Sequence, residues 1–178
     1  MRWMAFIFLV VAVILVQVSL GGLLTVSLPI GRVGFDLVAA AAVFVAFRTR
    51  TATDTMLACW VLGLTLDLTT AGGRPWGPTV VGPFSIIFAL LGGAVFSIRE
   101  AFFRDRALTQ AIVTLLFCLL AHALWITAQT LRLGGWDYYG AMLVQAAAIA
   151  GFTAILAPLA HFLLAWCAKW IFPPVSDR

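Results

Sequence analysis

Among the ionisable side chains that stand within or beside apolar runs of this chain are Asp36, Asp67 and His122. Groups of that kind could move a proton, hold a cation or orient a nucleophile. Asp67 ends the apolar part of "VLGLTLDLTTAGGRPWGP", after Leu62, Leu64 and Leu66 and before the break at Gly72, Gly73, Pro75, Gly77 and Pro78. His122 belongs to a polar series, Gln110, Thr114, Cys118, His122, Trp125, Gln129 and Arg132. Its spacings of four, four, four, three, four and three confine it to about a third of a helix circumference. The chemistry stops there. There is no HExxH and no GxSxG, and the "AGG" at 71–73 lacks the lysine and helix of a phosphate cradle. Cys59, Cys118 and Cys167 are odd in number, show no CxxC or metal-ligand spacing, and read as small packing residues. The expectation is a chain with no catalytic group, cofactor or metal. His122 is expected to hydrogen-bond a neighbouring helix, with lipid-facing and ligand-binding roles as alternatives. His161, Trp166 and Trp170 are expected at the edge of the apolar phase.

The elements that would position these groups follow from composition. Of 178 residues, 63% are hydrophobic and 10% charged, and the mean hydropathy is +1.09. A water-soluble domain of this size would not carry such a surface. The reading is one all-α membrane domain over 1–178, a bundle of about six transmembrane helices in the lipid bilayer, because backbone polar groups in hydrocarbon must pair internally. The segments are 3–28, 30–47, 54–70, 79–97, 108–131 and 139–172. The second and third are short for a bilayer, since 35–47 gives only about 20 Å of helix. A second helix starting near Ile30 would put Arg32 and Asp36 four residues apart, on one face. The run behind Arg2 continues past Gln17 without a small-x-small cleavage site, so a retained first helix is expected.

Basic residues set the orientation. With the N-terminus in the cytoplasm, Arg2, Arg48, Arg50, Arg99, Arg104, Arg106, Lys169 and Arg178 fall inside, against Arg32, Arg74 and Arg132 outside. Eight against three predicts both termini in the cytoplasm. The net charge of +4 then reflects topology, and no nucleic-acid partner is expected. Close helix packing is predicted from small-residue strips: Ser85, Ala89, Gly93 and Ser97 in the fourth segment, and Thr55, Cys59, Gly63 and Asp67 in the third. Gln17, Gly21 and Thr25 in the first segment and Ala146, Ala150 and Ala154 in the sixth repeat the pattern.

Taken in order, "GFDLVAAAAVFVAFRTR", "MLACWVLGLTLDLTTAGG" and "GPFSIIFALLGGAVFSIRE" resemble the bacterial rod-shape-determining MreD family. The family's features look like Asp36 with Leu37, the basic turn Arg48 and Arg50, Gly63 with Asp67, Gly82 with Pro83, and Arg99. The likeness spans 34–100; Phe35 stands where the family often has proline, and the turn after Asp67 is longer than usual. The resemblance implies a non-enzymatic component of the cell-elongation and peptidoglycan-synthesis machinery in the bacterial cytoplasmic membrane. Implied partners are MreC, MreB, RodA and a class B penicillin-binding protein. It also implies a fold similar to the substrate-binding subunits of energy-coupling-factor vitamin transporters, and such a subunit is the alternative function. Those subunits typically dock through an Ala-x-x-x-Ala motif in the first helix, whereas Ala5 and Ala12 here are seven apart.

For Asp67 two readings stand. One is a charge cluster at the outer ends of the second and third helices, with Asp36, Arg32 and Arg74, that ties those helices together. The other is a surface that such a cluster shapes for a partner.

Overall fold

The structure is a computed structural model that describes residues 2–21, 25–28, 31–70, 81–99, 106–134 and 136–171. Six α-helices run through them. α1 (Trp3–Gly21) leads into an antiparallel hairpin of β1 (Val26–Leu28) and β2 (Gly31–Val33). There follow α2 (Leu37–Arg48), α3 (Ala52–Thr70), α4 (Pro83–Ile98), α5 (Ala107–Leu133), a 3₁₀ turn (Trp136–Tyr138) and α6 (Tyr139–Ile171). α5 and the stretch Trp136–Cys167 are long and apolar enough to cross a membrane, while Trp3–Ser19, Leu37–Arg48 and Pro83–Ile98 are shorter apolar helices.

The hairpin corrects the expected first and second segments. The helix stops at the Gly21-Gly22 pair, and Pro29 denies a backbone donor to any helix across 25–33. Val26 faces Val33, Ser27 faces Arg32 and Leu28 faces Gly31. Arg32 therefore lies exposed on a strand, and the expected helical pairing of Arg32 with Asp36 does not form. Gly31 has φ +123°, and the place its Cβ would take lies 2.9 Å from Gln145 Nε2, whose amide donates to Arg32 O at 2.9 Å. That contact seats the hairpin on α6.

α2 is the axis of the fold. Every side chain from Val38 to Phe47 is buried, and α1, α3, α4, α5 and α6 all touch it. A helix that is apolar all round belongs in an interior. Its 12 residues rise about 18 Å, and enclosure by its neighbours explains how so short a helix is accommodated. Cross-helix contacts make successive helices antiparallel: Gln17 meets Leu37, Cys59 meets Ala42, Asp67 meets Ser85, Phe88 meets Phe117, and Thr127 meets Tyr139. Asp36, Asp67 and Ser85 thus share one side of the fold, with Arg48 and Arg99 on the other.

α3 and α4 form the tightest pair. A Cβ at Gly63 would lie 2.4 Å from Phe84 O, and one at Gly92 would lie 2.4 Å from Cys59 Sγ. At Gly93 the nearest atom, Met56 Cγ, is 3.3 Å away. Thr55, Cys59, Gly63 and Asp67 are all buried on α3. On α4 the four-residue strip turns outward: Ser85 is buried, Ala89 and Gly93 are half-buried and Ser97 is exposed. Each four-residue step overshoots a helical turn by about 40°, so the close approach to α3 runs from Ser85 to Gly92 instead.

Candidate functional site

The polar groups of the interior gather at helix ends. At the start of α2, Asp36 is the N-cap, and its Oδ1 accepts from Ala39 N at 2.9 Å. Its own N–H donates to Thr153 Oγ1 on α6 at 3.0 Å. Gln17 on α1 closes the same turn, donating to Phe35 O at 2.9 Å and accepting from Leu37 N at 2.7 Å. Four helices thereby meet in one knot, because the fourth contributor is His122 on α5, whose Nε2 lies 3.3 Å from Asp36 Oδ2. That approach is off the line of a hydrogen bond: His122 Nε2 is buried with no hydrogen-bond partner among the described residues. Cys118, one turn earlier on α5, completes a trio whose ligating atoms lie within 4.8 Å of one another. Phe84 covers His122 edge-on at 5.7 Å and stacks on Trp125 at 5.4 Å.

This knot is deep. His122 is eleven residues from Leu133 and Thr153 fourteen from Tyr139, or about 16 and 21 Å along α5 and α6. Asp36 is only 6% exposed. The expected outer charge cluster of Asp36 with Arg32 is therefore replaced by an interior carboxylate set against an imidazole. Burying a carboxylate is costly unless it is hydrogen-bonded and paired, and the N-terminal dipole of α2 adds to both.

Asp67 ties α3 to α4. Its Oδ2 accepts from Gly82 N at 3.0 Å, Ser85 N at 3.1 Å and Ser85 Oγ at 3.1 Å, and its Oδ1 accepts from Phe84 N at 3.3 Å. α4 begins at Gly82 with φ +129° and Pro83 behind it, and Gly82 offers no capping side chain. The cap comes from the neighbouring helix. A carboxylate in the last turn of α3 opposes that helix's own dipole, but beside the N-terminus of antiparallel α4 it is attracted. Asp67 thus links the third helix to the fourth, where a tie to the second was expected; Arg74 lies outside the described residues.

Arg99 serves the opposite end of α2. Its guanidinium donates to Thr49 O and, at 3.5 Å, to Ala46 O, and it sits 3.8 Å over the Phe96 ring. A cation on the last carbonyls of a helix matches both their acceptors and the negative dipole end. The Thr49 and Thr55 hydroxyls bond each other and fix the turn into α3.

The α5 stripe faces inward through Thr114, Cys118, His122 and Trp125, with Gln110 and Gln129 half-buried towards its two ends and Arg132 exposed. His161 departs from its expected edge position. It is 2% exposed, its Nε2 is 3.1 Å from Ala40 O, and Phe44 and Phe47 pack edge-on against it. A signal for this existed: Ala146, Ala150, Ala154, Ala157, His161 and Leu164 are all buried at helical spacing. Trp166 is exposed. Comparison with known protein families, with curated proteins and with solved structures finds no match.

Proposed function

We propose that this chain is a non-enzymatic, multi-pass component of the bacterial cytoplasmic membrane, acting in the cell-elongation and peptidoglycan-synthesis machinery as the MreD resemblance implies. One observation carries the reading. Five of the residues on which the resemblance rests hold helices together: Asp36 caps α2, Asp67 and Gly82 build the start of α4, Gly63 lets α4 approach α3, and Arg99 closes α2. A motif spent on a rigid α2–α3–α4 unit suits a part whose task is to hold partners.

The outward faces fit that task. Met4, Phe8, Val11 and Leu15 on α1 and Leu108, Ile112, Leu116, Leu120 and Leu124 on α5 are exposed apolar ridges. Facing lipid or another membrane helix, such ridges are at home. MreC, with MreB, RodA and a class B penicillin-binding protein, is the partner set, and both termini lie in the cytoplasm. The test is to purify the tagged chain in mild detergent and identify what accompanies it by mass spectrometry. Cell-elongation proteins are expected. Co-purification of ATP-binding transporter subunits would overturn the reading in favour of a vitamin-transporter subunit.

A further inference from the structure

We propose that Asp36, Cys118 and His122 form a binding site for a divalent metal ion of the zinc class, buried where α2 begins against α5. This goes beyond the scaffold reading and does not depend on it. The three ligating atoms lie within 4.8 Å of one another, and they are one carboxylate oxygen, one sulfur and one imidazole nitrogen. Zinc takes such mixed ligands at about 2.0–2.3 Å in a tetrahedron, which puts ligand atoms roughly 3.3–3.8 Å apart. The Asp36 Oδ2 to His122 Nε2 separation of 3.3 Å falls on that edge. A simple ion pair would align its N–H with the carboxylate, whereas His122 Nε2 has no hydrogen-bond partner among the described residues. Two ligands facing a common cation point at it and not at each other.

The division of labour on Asp36 agrees. Oδ1 is engaged by Ala39 N, which leaves Oδ2 for the cation. Cys118 and His122 stand four apart on α5 and so present sulfur and nitrogen from one face. Thr153, which accepts from Asp36 N, orients the Asp36 side of the set. Charge also balances: a dication with one carboxylate, one thiolate, a neutral imidazole and a neutral water in the fourth position is neutral overall, as an apolar interior requires. Binding releases the Cys118 thiol proton, and any proton on His122 Nε2, to solvent. The thiolate selects a zinc-like ion over magnesium or calcium.

The experiment uses the full chain in detergent, stripped with chelator and titrated with cobalt(II). Expected are a saturable thiolate-to-cobalt charge-transfer band with tetrahedral ligand-field bands, and their loss on adding zinc. Cys118→Ser and His122→Gln should each weaken cobalt binding by at least about tenfold, while Cys59→Ser and Cys167→Ser leave it unchanged. A folded wild-type chain without the band, or a band that survives Cys118→Ser, overturns the site. If Cys118→Ser does not fold, X-ray absorption of the zinc-loaded wild type decides: one sulfur beside nitrogen and oxygen is expected, and a shell without sulfur refutes it.

Discussion

Removing the Asp67 carboxylate tests whether one helix caps another. Asp67→Ala leaves the amides of Gly82, Phe84 and Ser85 without their acceptor at the start of a helix whose own N-cap is glycine. A lost cap costs about 1 kcal/mol. Loss of a buried charge at the positive end of a dipole adds up to about 2 kcal/mol. The total is about 1–3 kcal/mol, and at about 2–4 °C per kcal/mol for a chain of this length the melting midpoint should fall by roughly 2–12 °C. Asp67→Asn separates shape from charge. Its amide oxygen can take the three donors that now reach Oδ2, while its NH2 is set against Phe84 N–H. That change should cost about 1–2 kcal/mol, the loss of charge assistance on those bonds. The assay is the thermal midpoint in one detergent at fixed scan rate and protein concentration, with amide hydrogen exchange at Phe84 and Ser85. Alanine should destabilise more than asparagine, and both amides should exchange faster. If both variants melt with the wild type and the amides keep their protection, Asp67 is not the cap of α4. An outer, solvent-screened charge pair would have been worth no more than about 1 kcal/mol, so the size of the loss distinguishes the two arrangements.

Three further outcomes are expected. Gly63→Ala and Gly92→Ala should each destabilise by about 1–3 kcal/mol in the same melting assay, Gly63→Ala the more because it meets the Phe84 backbone. Gly93→Ala, which meets only the flexible Met56 side chain, should be mild, and equal losses at all three glycines would refute the assigned packing face. His161→Phe keeps a ring between Phe44 and Phe47 and removes one bond to Ala40 O, a carbonyl already engaged within α2; its midpoint should move by no more than about 1 kcal/mol equivalent, and a larger fall would show a role for the imidazole that packing does not supply. Reporter fusions active only outside the cytoplasm should be silent at Arg178 and positive after Gly73; a positive signal at Arg178 would sink the six-span arrangement with both termini inside.

What could be read ahead of the structure was whatever a helix repeats along its own length. The inward face of α5 follows from the spacing of Thr114, Cys118 and His122, and the buried faces of α3 and α6 follow from Thr55–Cys59–Gly63 and Ala146–Ala150–Ala154. Periodicity fails where a four-residue rule is extended too far, as from Ser85 to Ser97 on α4, and where the chain leaves the helix, as at β1 and β2. It is also silent about partners across the bundle. Nothing local to residue 67 shows that its donors lie 15 to 18 residues further on, and nothing local to residue 36 shows that Cys118 and His122 will face it.

The enclosure of α2 explains why those distant partners exist. The first N–H and last C=O groups of a helix have no partner within it, and water normally supplies the lack. α2 begins deep in the bundle with five helices around it, so the groups must come from neighbouring side chains. Gln17, Asp36 and Thr153 meet one end, and Arg99 meets the other. Each is of the sign or type that its end demands: acceptors and an anion where N–H groups point, a cation where carbonyls point. In a chain with only 10% charged residues, two of them are thus fixed by the geometry of one short helix. That requirement accounts for the Arg99 guanidinium on the α2 carbonyls but only half of Asp36, whose Oδ2 is not used by the cap. A cap that could be a neutral serine or asparagine is instead a carboxylate, facing a sulfur and an imidazole nitrogen inside the bundle. A cation held among the three would use what capping leaves over.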